Sequence, residues 1–150
     1  MTTIKAIEYS RDLRSPVPTT PHISKIMSAN KSKNTLPELA LRKRLWSDNL
    51  RGYRLHPNKI PGRPDIIYPR FKVAIFVNGC FWHRCPYCQL REPSGNRDFW
   101  VKKFDANIER DTKKRKLLEE AGWKTITVWE CEIKKSIDQK IKEIQNILNE

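Results

Sequence analysis

The chain predicts an α/β sandwich, in which one sheet of about four strands carries helices on its faces. Three observations lead to it. Amphipathic and apolar segments follow in the order α, β, β, β, α, β, α along 150 residues, enough for one layered domain with a modest core. Turn residues punctuate these segments at Gly52, Pro69-Arg70 and Gly122,. Two apolar runs, Val73-Ala74-Ile75-Phe76-Val77 and Thr125-Ile126-Thr127-Val128-Trp129, both lead into cysteines. A zinc site is expected where those two strands end.

The first 34 residues read as an extended segment. Pro16, Pro18 and Pro21 lie close together, apolar periodicity is weak, and Lys25, Lys31 and Lys33 add positive charge,. We divide it into a flexible extension over 1–23 and an arm over 24–34, which opens a domain running from 24 to 150. Thr35-Leu36-Pro37-Glu38 fits a capping box with proline in the first turn,. Leu36, Leu39, Ala40, Leu45 and Trp46 form the apolar face of the helix it starts, which Gly52 can end,. Short strands are expected at Tyr53–His56, Asp65–Tyr68 and Phe71–Asn78, the last two joined by a tight turn. Residues 79–95 form a cysteine loop and 99–121 a long charged helix. The strand at 124–129 is placed inside the sheet because it is apolar and unbroken. Ser136 caps a last helix with Ile137, Ile141, Ile144, Ile147 and Leu148 on one face,.

Lysine and arginine number 30 against 17 acidic residues, a net charge of +13 with a pI near 9.8. That surplus suits a polyanion, of which nucleic acid is the commonest. No apolar stretch approaches the roughly 20 residues of a membrane helix.

Cys80-Phe81-Trp82-His83-Arg84-Cys85-Pro86-Tyr87-Cys88 holds three of the four cysteines, and Cys131 closes the second apolar run. Four thiolates can hold one zinc tetrahedrally, and such a closed shell is structural. Two disulfides are the alternative. Met1–Ser15 has no apolar signal-peptide core, which favours metal. His83 could replace a cysteine as ligand or, with four thiols present, remain available as a general base or acid.

Asp65, at the start of a hairpin, is placed to hold a hard cation such as magnesium, or else it merely caps a turn. Glu38 is a second candidate carboxylate, although the capping box alone would account for it. Phe81, Trp82, Phe99 and Trp100 are either core or a surface that stacks on bases.

Taken together, Ser-Lys-Asn-Thr-Leu-Pro-Glu-Leu, Leu55-His56, Pro61-Gly62-Arg63-Pro64-Asp65, Val73–Cys88, Asn107-Ile108-Glu109-Arg110-Asp111 and Gly122-Trp123 through Val128-Trp129-Glu130-Cys131 resemble the very-short-patch repair (Vsr) endonucleases in residues and order, over roughly 24–133. The resemblance implies a restriction-endonuclease-like αβββαβ core. It implies a magnesium-dependent nuclease that nicks one strand of duplex DNA beside a T:G mismatch left by deamination of 5-methylcytosine. By motif, Asp65 holds magnesium, His83 activates the attacking water and Glu38 supports the site. Cys80, Cys85, Cys88 and Cys131 hold structural zinc. Phe81, Trp82 and Trp100 push into the DNA stack, and the arm embraces the duplex. A bacterial, cytoplasmic, nucleoid-associated monomer is implied, with mismatch-repair proteins as candidate partners. Three departures stand out. Asn78 occupies the place of a family histidine. Cys85 stands where the family often has a histidine ligand. The acid-x-Lys pair of restriction-type nucleases is absent from Val73–Asn78, so a main-chain carbonyl near Val77 is expected to supply a metal ligand. A restriction-type nuclease or nickase of other specificity, and a non-catalytic zinc-stabilised DNA-binding protein, are the competing readings.

Overall fold

A computed structural model describes residues 21, 22 and 33–150. The expected extension and arm lie outside the described residues, save Pro21, His22, Lys33 and Asn34. The elements are α1 (Leu36–Ser47), β1 (Arg54–Leu55), β2 (Ile66–Tyr68), β3 (Val73–Asn78), α2 (Arg97–Glu120), β4 (Lys124–Trp129), α3 (Glu130–Lys135) and α4 (Ile137–Leu148). The four strands form one sheet in the order β1-β2-β3-β4. The first two pairings are antiparallel, while β3 and β4 run parallel in the register Val73↔Lys124 to Asn78↔Trp129. A parallel pair needs a crossover, which α2 supplies.

The strand at 124–129 therefore lies at the sheet edge, not inside it. Its residues alternate, with Ile126 and Val128 buried and Thr125 and Thr127 only half-buried. That period of two marks a strand with one apolar face. The inner strands are β2, wholly buried, and β3, of which every residue but Val77 is buried. The β3 side chains divide between two cores. Val73 and Ile75 join Leu41, Leu45, Ile126, Val128, Ile141 and Ile144 on the side of α1 and α4, while Ala74 and Phe76 meet Leu118 on the side of α2.

Helix α1 begins at Thr35 as expected, with the Thr35 hydroxyl accepting from Glu38 N–H at 3.4 Å. Only half the capping box forms, because the Glu38 carboxylate accepts from Asn34 N–H instead. The helix also ends at Ser47, short of Gly52. Its buried stripe is Glu38, Leu41 and Leu45, whereas Leu36 is 83% and Trp46 55% exposed. The spacing of that stripe is helical, but one member, Glu38, is a charge that the sequence analysis did not count on the apolar face. The short α3 was not expected. It follows β4 directly, with the Glu132 carboxylate accepting from Trp129 N–H at 2.9 Å. Ser136 precedes α4 without a side-chain cap.

The sheet and the segment that follows α1 are fastened by Tyr68, whose hydroxyl donates to Leu50 O at 2.8 Å while its ring meets Tyr53 edge-on. Ile144 is fully buried in the α4 seam. Ile144→Ala should lower unfolding free energy by about 2–5 kcal/mol, read as an earlier urea midpoint with an unchanged slope.

Candidate metal and nuclease centre

Three side chains from three segments converge beside β2. Glu38 comes from the buried stripe of α1, His56 from the end of β1, and Asp65 from the residue before β2. One ligand atom from each lies within 4.8 Å of the others. Asp65 is clamped by its backbone, since its N–H donates to Ile75 O at 3.1 Å and its carbonyl accepts from His56 N–H at 3.0 Å. Pro64 is fully buried before it. Gly62, at φ +75°, lets the preceding turn press onto α2, where a Cβ would sit 3.1 Å from Lys114,.

Val77 meets this cluster through its N–H, which donates to Asp65 Oδ2 at 2.8 Å. Val77 thus stands beside Asp65, where its N–H orients the carboxylate. Burial lifts the Asp65 carboxyl from its ordinary 3.8 to about 6, the Val77 N–H opposes that rise, and the Glu38 charge adds to it,. Glu38, only 2% exposed, faces Arg42 Nη1 at 3.4 Å and His56 Nε2 at 2.7 Å.

A second pair lies on the α2 side. His83 Nδ1 is 2.6 Å from Asp111 Oδ2, an α2 residue. Both line a cleft of about 440 Å³ together with Asn78, Arg84, Arg115 and Thr127. The two groups are linked through consecutive residues of β3, because Val77 binds Asp65 and Asn78 lines the His83 cleft.

The thiols gather as the sequence suggested. Cys80 and Cys131 each stand two residues past the terminal Asn78↔Trp129 pair, so parallel pairing closes a gap of 51 positions. The four Sγ atoms lie within 4.8 Å of one another, and none is in a disulfide. Cys85 and Cys131 are 3.6 Å apart, near the roughly 3.8 Å edge of a tetrahedron with metal–sulfur bonds of about 2.3 Å. Burial pushes the Cys80 thiol up strongly and Cys131 to about 11, whereas Cys85 is lowered by N–H donors of Tyr87 and Cys88 against the effect of burial. A cation at the centre would stabilise all four thiolates at once. His83 takes no part in this set, since its ring turns to Asp111.

The loop between Cys80 and Cys85 rests on an aromatic base. Phe81 meets Trp82, Trp100 and Phe104 edge-on at 5.2–5.6 Å. Phe81 and Trp82 are half-exposed, but Trp100 is 2% exposed. Trp100 is therefore the floor of the cluster in this structure and not a free wedge, because α2 seats it under Phe81. Asn107 Nδ2 donates to Trp82 O at 2.8 Å and Lys103 Nζ sits 5.1 Å over the Trp82 ring. Sequence reasoning missed His56 and Asp111 as site residues. Both lie in motifs that carry the family resemblance, Leu55-His56 and Asn107-Ile108-Glu109-Arg110-Asp111, and that was the signal that could have found them.

A mixed sheet of αβββαβ order, with carboxylates gathered beside its second strand, places the chain in the restriction-endonuclease-like class. The comparisons narrow that. The model of the family described as DNA mismatch endonuclease Vsr matches residues 17–89. The type II nicking enzyme V.XorIIP of Xanthomonas oryzae pv. oryzae is 43% identical over 110 residues, covering 72% of this chain and 79% of that protein. The type II nicking enzyme V.NmeDIP of Neisseria meningitidis serogroup C is 42% identical over 113 residues, covering 75% and 76%. The DNA mismatch endonuclease Vsr of Escherichia coli K12 is 34% identical over 111 residues, covering 74% and 70%. The chain belongs to the Vsr endonuclease family and is a DNA-nicking endonuclease. Among the described residues no helix is long and apolar enough to cross a membrane.

The raised Asp65 pKa has a stability consequence with a definite sign. In metal-free protein the native state binds more protons than the unfolded state between about pH 4 and 6, so stability falls as pH rises through that window. Asp65→Asn should stabilise the metal-free protein by up to about 3 kcal/mol at pH 7–8, with the gain vanishing near pH 4. Urea melts of both proteins across that range check it.

Proposed function

We propose that this endonuclease nicks one strand of duplex DNA beside a T:G mismatch, using a divalent cation such as Mg²⁺ at Asp65 and Glu38 and a structural Zn²⁺ at Cys80, Cys85, Cys88 and Cys131. The observation that carries it is the convergence of Glu38, His56 and Asp65 one peptide unit from the strand residue that lines the His83–Asp111 cleft. When bound at the carboxylates, the cation offsets charge accumulating on the scissile phosphate. Asp111 holds His83 by Nδ1, so Nε2 is the atom free to take a proton from the attacking water. Asn78 can donate or accept a hydrogen bond in the same cleft, though it cannot exchange a proton near neutral pH. Zinc chemistry suits four thiolates with no open position, and its part is to hold the loop that carries His83.

Mismatch selection is assigned to Phe81 and Trp82, raised on the base of Trp100 and Phe104. A mismatched step is poorly stacked, so separating it costs less than at a matched step. The +13 net charge supplies sequence-independent attraction to phosphate. Action as a monomer in the bacterial cytoplasm, with mismatch-repair proteins as partners and the arm over 24–34 embracing the duplex, completes this reading. A nicking enzyme with another recognition context is the second reading, favoured by the names of the relatives from Xanthomonas and Neisseria.

The test is nicking of one duplex carrying T:G and of its matched twin, with and without Mg²⁺. Cleavage should require both mismatch and cation, and equal cleavage of the twin would favour the second reading. Asp65→Ala should abolish nicking while DNA binding survives. His83→Ala should slow nicking by roughly 10²–10⁴-fold with zinc retained, whereas loss of zinc would make His83 a ligand.

Trp82→Ala should weaken binding to mismatched duplex by about 1–3 kcal/mol and to matched duplex by less. The comparison is made by titration at one salt concentration. Equal losses on both duplexes would place mismatch selection elsewhere.

A further inference from the structure

His56 has no place in the chemistry assigned above, and its setting is unusual. Its backbone lies in the left-handed region at φ 45°, a conformation costly for a non-glycine residue. The His56 N–H bond to Asp65 O keeps it there. Its ring is thereby turned to the two carboxylates. Nε2 is buried and has no hydrogen-bond partner, although Glu38 Oε1 is only 2.7 Å away. The contact is close but out of line for an N–H···O bond. A buried imidazole nitrogen that is not hydrogen-bonded, with Glu38 and Asp65 oxygens within 4.8 Å, is arranged as one member of a cation-ligand set.

The composition of that set bears on which cation fits. Magnesium takes oxygen ligands almost exclusively and usually keeps several waters. Imidazole is a ligand for first-row transition ions, and Mn²⁺, which shares magnesium's use of carboxylate and water, accepts an imidazole nitrogen more readily than Mg²⁺ does. We propose that His56 Nε2 is a direct protein ligand of the cation held by Asp65 and Glu38, and that it biases the site toward Mn²⁺ and related first-row ions over Mg²⁺. This rests on the reading that those carboxylates hold the catalytic cation.

The experiment uses full-length, zinc-loaded protein without DNA. Mn²⁺ and Mg²⁺ affinities are measured by calorimetry for the wild type, His56→Gln and Asp65→Asn. The Mn²⁺-loaded proteins are examined by electron spin-echo modulation for coupling to an imidazole nitrogen. The wild type should bind Mn²⁺ roughly tenfold or more tighter than Mg²⁺ and show the nitrogen signal. His56→Gln should lose the signal and most of the Mn²⁺ preference, with Mg²⁺ affinity little changed. The chain has three histidines, so His83→Ala serves as a control that should keep the signal. Absence of the signal in the wild type, or its survival in His56→Gln, would overturn the proposal whether or not that variant is stable. Divalent binding lost in Asp65→Asn but indifferent to His56→Gln would overturn the proposal alone. Binding unchanged in Asp65→Asn would overturn the carboxylate site and this inference with it.

Discussion

The parallel pairing of β3 with β4 is the constraint on which the rest depends. It requires a crossover, and the crossover is α2, which carries Asp111, Asn107 and Trp100. It also sets Asn78 opposite Trp129, which brings Cys80 and Cys131 into one cluster. Everything between Cys80 and Cys88 is then held at both ends. His83 is presented to Asp111 and Phe81 to Trp100 because the loop has few other conformations left. A slip of the β3–β4 register would dissolve the thiol cluster and the histidine cleft together.

The centre stores electrostatic tension. Glu38 and Asp65 are two carboxylates in a poorly hydrated setting, where like charges disfavour joint ionisation. Arg42 and the Val77 N–H relieve part of this, and a divalent cation, if bound there, would relieve the remainder. A site that is unfavourable when empty and favourable when filled converts metal binding into local order. Such sites commonly trade stability for function.

The aromatic platform is built from the buried side outward. Buried Trp100 and Phe104 stack against each other at 5.6 Å and support Phe81, which supports Trp82 in turn. The proposed wedge needs such a rigid base as much as an exposed tip. Asn107 adds a hydrogen bond to the Trp82 backbone, tying the platform to the same helix that orients His83.

By itself the sequence determined the element order, the basic partner class and the thiol set, and it singled out Asp65 and His83 as candidates. These follow from local signals such as period, capping, turn residues, charge count and cysteine spacing. The family resemblance rested on the same contiguous motifs. What local signals did not decide was which face each element buries and which distant residues meet. Glu38 was a candidate site carboxylate that a capping box could equally explain, and only packing shows it on the buried stripe with Leu41 and Leu45. Trp129 and its neighbours read as an inner strand because they are apolar, while the sheet order makes β4 an edge. Trp100 resembled a wedge until α2 placed it beneath Phe81. His56 and Asp111 reach their partners, 18 and 28 positions away, through chain reversals and a crossover that no short window of residues specifies. That is the physical reason tertiary structure alone completed the site: side chains distant in sequence become neighbours only when the whole sheet is paired.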